Sequence, residues 1–205
     1  MNQMQSISGK ITMQIAAFTI RLNTVFLLVG IILPLTAQFD IRQLDPPASF
    51  EAEFGLTFTG INDLNGDGHY ELVVGSPIDS VNGIYAAGRV YVVSGTTGAV
   101  IFTIESPNPE VFGLFGRHVA KSDDTNNDGF DDIIVAACKE NHSEIDDAGR
   151  AYLFSGDDGS LLHTFISVEP AMAEIWYDSP ICGVSDVNSD DAGDVAIGIK
   201  LGSTK

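Results

Sequence analysis

Two cysteines in 205 residues are too few for a disulfide framework. Cys138 and Cys182 would be able to pair in an oxidising compartment, but they fall at unlike positions of the repeat described below, and the default reading is two small buried hydrophobes. Positive charge is also scarce: ten Lys and Arg stand against 28 Asp and Glu, for a net charge of −18. Such a surface repels nucleic acid and anionic lipid, so neither is expected as a partner. Long apolar runs are missing too. The run Val25 to Leu35 is well short of the ~20 residues that a membrane-spanning helix needs.

Groupings that would carry catalysis are equally hard to find. The four histidines, His69, His118, His142 and His163, are scattered and have no Cys, His or carboxylate partners at zinc-site spacing. Ser94 and Ser155 lack the G-x-S-x-G elbow that presents a hydrolase nucleophile. The pairs Asp123-Asp124 and Asp131-Asp132 are explained by the acidic loops beside them. The chain therefore reads as a non-enzyme.

What is present begins with a leader. No acid precedes Ala37, whereas Lys10 and Arg21 do, and the apolar run ends in Thr36 and Ala37. Residues 1–37 read as a secretory signal peptide, so the mature part is expected to be secreted or on the cell surface, without inserting in the membrane. Residues 38–49 read as a linker. With 44% hydrophobic and 9% aromatic residues, the remainder has enough apolar side chain for a packed core.

That remainder repeats. The stretches DLNGDGHYELVVGSP (63–77), DTNNDGFDDIIVAAC (124–138) and DVNSDDAGDVAIGIK (186–200) superpose without gaps at spacings of 61 and 62. GRVYVVSGTTGAVIFTI from Gly88 returns as GRAYLFSGDDGSLLHTF from Gly149, again 61 residues on. Phe54-Gly55 and Phe115-Gly116 each stand nine residues before an acidic loop, and the third pair has drifted to Tyr177-Asp178. Within each unit, a short run after Phe-Gly, the runs 71–74 or 132–135, and a hairpin turning at Gly95–Gly98 or Gly156–Gly159 make four strands. Leu72-Val73-Val74 and Ile133-Ile134-Val135 are apolar at consecutive positions, so both faces of those strands must be covered. The expected fold is all-β: four-stranded blades of a β-propeller, over about 50–111, 112–173 and a shorter 174–205. That makes about two and a half blades, too few to close a ring, so the chain reads as a fragment. The remaining blades are expected from a longer chain or from other copies.

Each acidic loop sets oxygens at alternating positions, as a hard cation with six to eight oxygen ligands requires. The first offers Asp63, Asn65, Asp67, the His69 carbonyl and Glu71; the second Asp124, Asn126, Asp128, the Phe130 carbonyl and Asp132. The third offers Asp186, Asn188, Asp190, the Ala192 carbonyl and Asp194. Calcium is the expected ion, since magnesium demands stricter octahedral geometry. An EF-hand would need a bidentate Glu at position 12, where Val74, Val135 and Ile197 stand, and a helix in place of the β-branched runs that follow. In the third loop Asp191 replaces the turn glycine, so that site is expected to be weaker.

FGRHVAKSDDTNNDGFDDIIVAA resembles an FG-GAP repeat, with Phe115-Gly116 as the FG element and Ala136-Ala137-Cys138 at the GAP triplet. Gly75-Ser76-Pro77 matches that triplet better, and Gly198-Ile199-Lys200 poorly. The resemblance covers about 50–205 and extends to the integrin alpha propeller. It implies structural loop cations and a role as an adhesion or recognition module for an extracellular protein or glycan. The alternative is the propeller portion of a secreted hydrolase or polysaccharide lyase whose catalytic part lies elsewhere. Partners are expected on the rim opposite the acidic loops, formed by 78–87, 105–114, 139–148 and 168–176. Exchanging 139–148 for a Gly/Ser linker is expected to remove partner binding and leave the fold intact. Asn141-His142-Ser143 fits the N-glycosylation pattern.

Overall fold

The computed structural model describes residues 53–142, 146–166 and 180–198, all within one compact unit, Arg42–Lys205. The leader, the linker, Tyr177-Asp178, the 168–176 loop and the Ser143 of the glycosylation pattern lie outside the described residues. Ten strands occur and, among the described residues, no helix: β1 (Thr57–Ile61), β2 (Glu71–Ser76), β3 (Arg89–Val93), β4 (Val100–Glu105), β5 (Phe115–Ser122), β6 (Asp132–Ala137), β7 (Arg150–Phe154), β8 (Leu161–Ile166), β9 (Ile181–Val184) and β10 (Asp194–Ile197). They form two antiparallel four-stranded sheets in sequential order, β1 to β4 and β5 to β8, and the hairpin β9-β10. The fold is all-β, with two complete blades and the first hairpin of a third.

Local chemistry explains the strands. β2, β3, β6 and β7 are rich in Val, Ile, Tyr and Phe, which suit a pleated surface. All six residues of β6 are buried and five of the six in β2, as the consecutive apolar residues require. β4 and β8, the last strand of each sheet, expose Val100, Ile101, Leu161 and Ile166. Both sheets shift register at the same place, between Val92 and Val93 and between Leu153 and Phe154, so the bulge repeats with the sequence.

The blades stack through their first strands: β5 packs on β1 and β2, and β9 packs on β5. Between the first two blades Ile61, Val73, Val90, Val92 and Ile104 meet Phe115, Val119, Ile133, Val135, Tyr152 and Phe154. Phe115 is fully buried, with its ring 5.9 Å from Tyr152 and 5.8 Å from Phe154. Burying such a ring stabilises by ~1.5–3 kcal/mol.

The Phe-Gly and Gly-Ser-Pro signatures prove to be one junction. A Cβ on Gly75 would lie 2.1 Å from the carbonyl oxygen of Gly116, and one on Gly88 would lie 2.0 Å from that of Phe115. The main chain of the second blade's Phe-Gly pair thus rests directly on two glycines of the first. Phe115 N–H donates to the Ala87 carbonyl at 2.9 Å across the same seam.

Cys138 and Cys182 are thiols rather than a disulfide. Cys138 is buried with Ala136 and Ala151, as expected for a small hydrophobe. Cys182 is exposed instead, because the face of β9 packed on the second blade is that of Ile181, and the adjacent residue of a strand points the other way.

Candidate cation loops

The three acidic loops connect β1 to β2, β5 to β6 and β9 to β10, and their hydrogen bonds repeat. In the first, Asp63 Oδ2 accepts the Gly68 N–H at 2.7 Å, Asn65 Oδ1 accepts the Asp67 N–H at 2.9 Å and Asp67 Oδ1 accepts the His69 N–H at 2.9 Å. In the second, Asp124 Oδ2 accepts from Gly129 at 2.8 Å, Asn126 Oδ1 from Asp128 at 3.0 Å and Asp128 Oδ1 from Phe130 at 2.9 Å. In the third, Asp186 Oδ2 accepts from Asp191 at 3.0 Å and Asp190 Oδ1 from Ala192 at 3.1 Å. The amides face inward and curl each loop around its first Asp.

Two residues per loop take left-handed backbone, at the fourth and sixth positions. They are Gly66 and Gly68 (φ 77° and 83°), Asn127 and Gly129 (60° and 94°), and Ser189 and Asp191 (65° and 67°). Asp191 does adopt the conformation for which Gly is preferred.

The last acid of each loop opens β2, β6 or β10 and ties the loop to its blade. Glu71 is fully buried and accepts the Leu64 N–H at 2.7 Å and Asn65 Nδ2 at 2.8 Å. Asp132, one methylene shorter, accepts the Thr125 N–H at 2.8 Å, the Thr125 hydroxyl and the Gly156 N–H at 3.3 Å. Asp194 accepts the Val187 N–H at 2.8 Å.

Oxygens of Asp63, Asp67 and Glu71 lie within 4.8 Å of one another, the one such grouping of three acids among the described residues. This donor set fits a hard cation, and all its atoms are oxygen. The longer Glu71 side chain completes the group. In the second loop Asn126 Nδ2 sits on Asp128 Oδ2 at 2.8 Å, and in the third Asn188 Nδ2 sits on Asp190 Oδ2 at 3.0 Å.

The turn between the third and fourth strands clasps the same loops, as expected if both lie on one rim. Thr96 Oγ1 donates to Asp67 Oδ2 at 2.8 Å, and Ser155 Oγ to Asp128 Oδ2 at 2.9 Å. The Thr96 hydroxyl is the main cause that holds the Asp67 carboxyl below the usual carboxylate range. Desolvation opposes ionisation of Asp128, but the Phe130 N–H, Asn126 and Ser155 outweigh it and its pKa is lowered. Asp132 goes the other way, raised by its burial. Anionic carboxylates at exposed loop positions are what a divalent ion needs.

On the opposite rim, the 77–88, 106–114 and 138–149 connections are knitted together. Phe112 N–H donates to the Tyr85 carbonyl at 3.0 Å and Lys139 N–H to that of Gly113 at 3.1 Å, and Glu110 Oε2 accepts the Asn141 N–H at 3.0 Å. The Tyr85 and Phe112 rings meet edge to face at 5.2 Å, both exposed.

These connections contain residues that the sequence reading passed over. Asp79 accepts the Tyr91 hydroxyl at 2.5 Å, lies 3.8 Å from Arg89, and its carbonyl accepts the Gly88 N–H at 2.9 Å. Sixty-one residues on, Glu140 accepts the hydroxyls of Tyr152 and Ser106, lies 3.8 Å from Arg150, and its carbonyl accepts the Gly149 N–H at 2.9 Å. The available signal is an acid nine residues before each Gly-Arg pair, in register between the two repeats. Exchange of 139–148 therefore also removes a buried residue and is expected to lower stability as well as partner binding.

The repeated blades, the Phe-Gly junction and the acidic loops together are the features of an FG-GAP repeat. Residues 54–93 match the FG-GAP repeat family model. The chain is similar to integrin alpha chains: integrin alpha-4 of Xenopus laevis is 32% identical over 68% of this chain and 14% of the relative. Integrin alpha-2 of Bos taurus is 28% identical over 62% of this chain and 11% of its own length, and integrin alpha-8 of Mus musculus 27% over 75% and 14%. The chain thus spans about one-seventh or less of the length of these relatives.

Proposed function

We propose that this chain is part of an extracellular adhesion or recognition propeller whose blades are rigidified by calcium in the three acidic loops. The grouped oxygens of Asp63, Asp67 and Glu71 carry the reading, and the recurrence of the same hydrogen bonds in two further loops supports it. Side chains of Asp63, Asn65, Asp67 and Glu71 with the His69 carbonyl would hold the first ion; Asp124, Asn126, Asp128, Asp132 and the Phe130 carbonyl the second; Asp186, Asn188, Asp190, Asp194 and the Ala192 carbonyl the third. A bound cation would neutralise the carboxylates and lock the turn between a blade's first two strands. Similarity to integrin alpha chains supports a place at the cell surface or outside the cell, after removal of a 1–37 leader. It also supports recognition of an extracellular protein or glycan by the opposite rim, where Tyr85 and Phe112 are exposed.

Calorimetric calcium titration with melting curves in calcium and in chelator tests the cation role. At a hundredfold excess over Kd each ion stabilises by ~2.7 kcal/mol, which corresponds to a melting point about 5–10 °C higher. Glu71→Gln with Asp67→Asn should remove one site. A melting curve that ignores the chelator, with no heat of binding, would sink the reading.

A further inference from the structure

We propose that the second and third loops bind their cations as a coupled pair while the first binds independently; this rests on the calcium reading above. The Gly193 N–H, one residue before Asp194, donates to the carbonyl of Asp124 at 2.8 Å. Asp124 opens the second loop and Asp194 closes the third, so a single backbone hydrogen bond joins a ligand residue of one site to the immediate neighbour of a ligand residue of the other. Ser185 Oγ donates to Asp123 Oδ2 at 3.0 Å, and Ser122 Oγ to the Asp194 carbonyl at 3.4 Å. The approach is close enough that a Cβ on Gly193 would stand 2.8 Å from the Asp123 carbonyl oxygen and 2.9 Å from its Cβ.

The first and second loops are built differently at the same place. The residue equivalent to Gly193 is Asp131, whose carboxylate is held within its own blade by Lys121 Nζ at 2.9 Å. Among the described residues no hydrogen bond joins 62–70 to 123–131. An ion that fixes Asp186, Asp190 and Asp194 also fixes Gly193, and through it the carbonyl that positions Asp124. Ordering one loop therefore lowers the conformational cost of ordering the other. Coupling of this kind is reciprocal by thermodynamic necessity.

Amide NMR on the whole chain during calcium titration reads each site separately. Gly68, Gly129 and Asp191 each donate to the first Asp of their own loop and serve as reporters. Asp186→Asn with Asp190→Asn is expected to weaken binding at the second loop about fivefold or more. Asp124→Asn with Asp128→Asn should weaken the third loop by the same factor, and Asp63→Asn with Asp67→Asn should leave both unchanged. Gly193→Ala, which forces the loops apart, should leave two independent sites; should that variant fail to fold, the carboxylate pairs decide alone. Three sites that bind without influencing one another overturn the coupling and spare the calcium reading. Absence of any calcium-dependent shift at the three reporters overturns both.

Discussion

Replacing Glu140 with alanine is expected to lower stability by about 3 kcal/mol, the range found when one partner of a buried polar network is removed. For a domain of this size that corresponds to a melting point about 6–12 °C lower. Glu140 is fully buried, and its carboxyl is the shared acceptor for Ser106, on the connection between β4 and β5, and for Tyr152 on β7. Alanine leaves both hydroxyls and the nearby Arg150 without that acceptor. Glu140→Gln keeps a neutral hydrogen-bonding group and should cost far less. Equal losses for the two variants would show that the network is not what stabilises the rim.

The same pair has a pH signature. Burial is the largest influence on the Glu140 carboxyl, opposed by the Ser106 and Tyr152 hydroxyls and by Arg150 and reinforced by the charge of Glu110, and it lifts the pKa from 4.5 to about 7. The folded-state value lies above the unfolded one, so the contribution is complete below pH 4.5 and is lost as the pH climbs through 7. At ~1.36 kcal/mol per pKa unit, about 3 kcal/mol disappears across that window. Asp67, Asp128 and Asp186, whose pKa values are lowered, titrate with the opposite sign. The quantity to measure is therefore the difference between wild-type and Glu140→Gln unfolding free energies from pH 4 to pH 8. Parallel curves would refute the assignment.

Strand positions and the acidic loops were legible because both are written locally. Apolar residues at consecutive positions mark a strand covered on both faces, and oxygens at alternating positions mark a loop that curls around a centre, so β2, β6 and the loops at 63, 124 and 186 could be read without knowing what lay beside them. Contacts between repeats were not legible in this way. Gly75 looked like part of a signature triplet, but its role is set by the Gly116 carbonyl lying against it, 41 positions along the chain. Glu140 looked like a loop residue since a charged side chain between strands is ordinarily solvated. Only the positions of Ser106 and Tyr152, on other elements, make it a core residue. Exposure of Cys182 likewise follows from which face of β9 meets the second blade. The alternation of a strand predicts two faces but not which of them is covered.

The largest effect of any single substitution is expected at Gly88. Its φ of 89° already disfavours a side chain, and an added Cβ would lie 2.0 Å from the Phe115 oxygen and 2.6 Å from its nitrogen. Those are main-chain atoms, and they cannot swing aside as a side-chain tip can. Phe115 N–H is bonded to the Ala87 carbonyl at 2.9 Å, Leu114 N–H to that of Ala86 at 3.2 Å, and the Phe115 ring is locked between Tyr152 and Phe154. Relief requires the blades to part, which exposes Ile61, Val73, Val90 and Val92 along with Phe115. Gly88→Ala should therefore cost more than about 4 kcal/mol, among the largest losses single substitutions cause, and leave little folded protein at 37 °C. Gly66→Ala is the matched control: its φ of 77° is similar, but no atom lies within 4 Å of the added carbon. It should show only the backbone penalty of about 1–2 kcal/mol for a left-handed alanine. If chemical denaturation gives the two variants the same midpoint, the cost at Gly88 is backbone strain alone and the close approach of Phe115 does not hold the blades together.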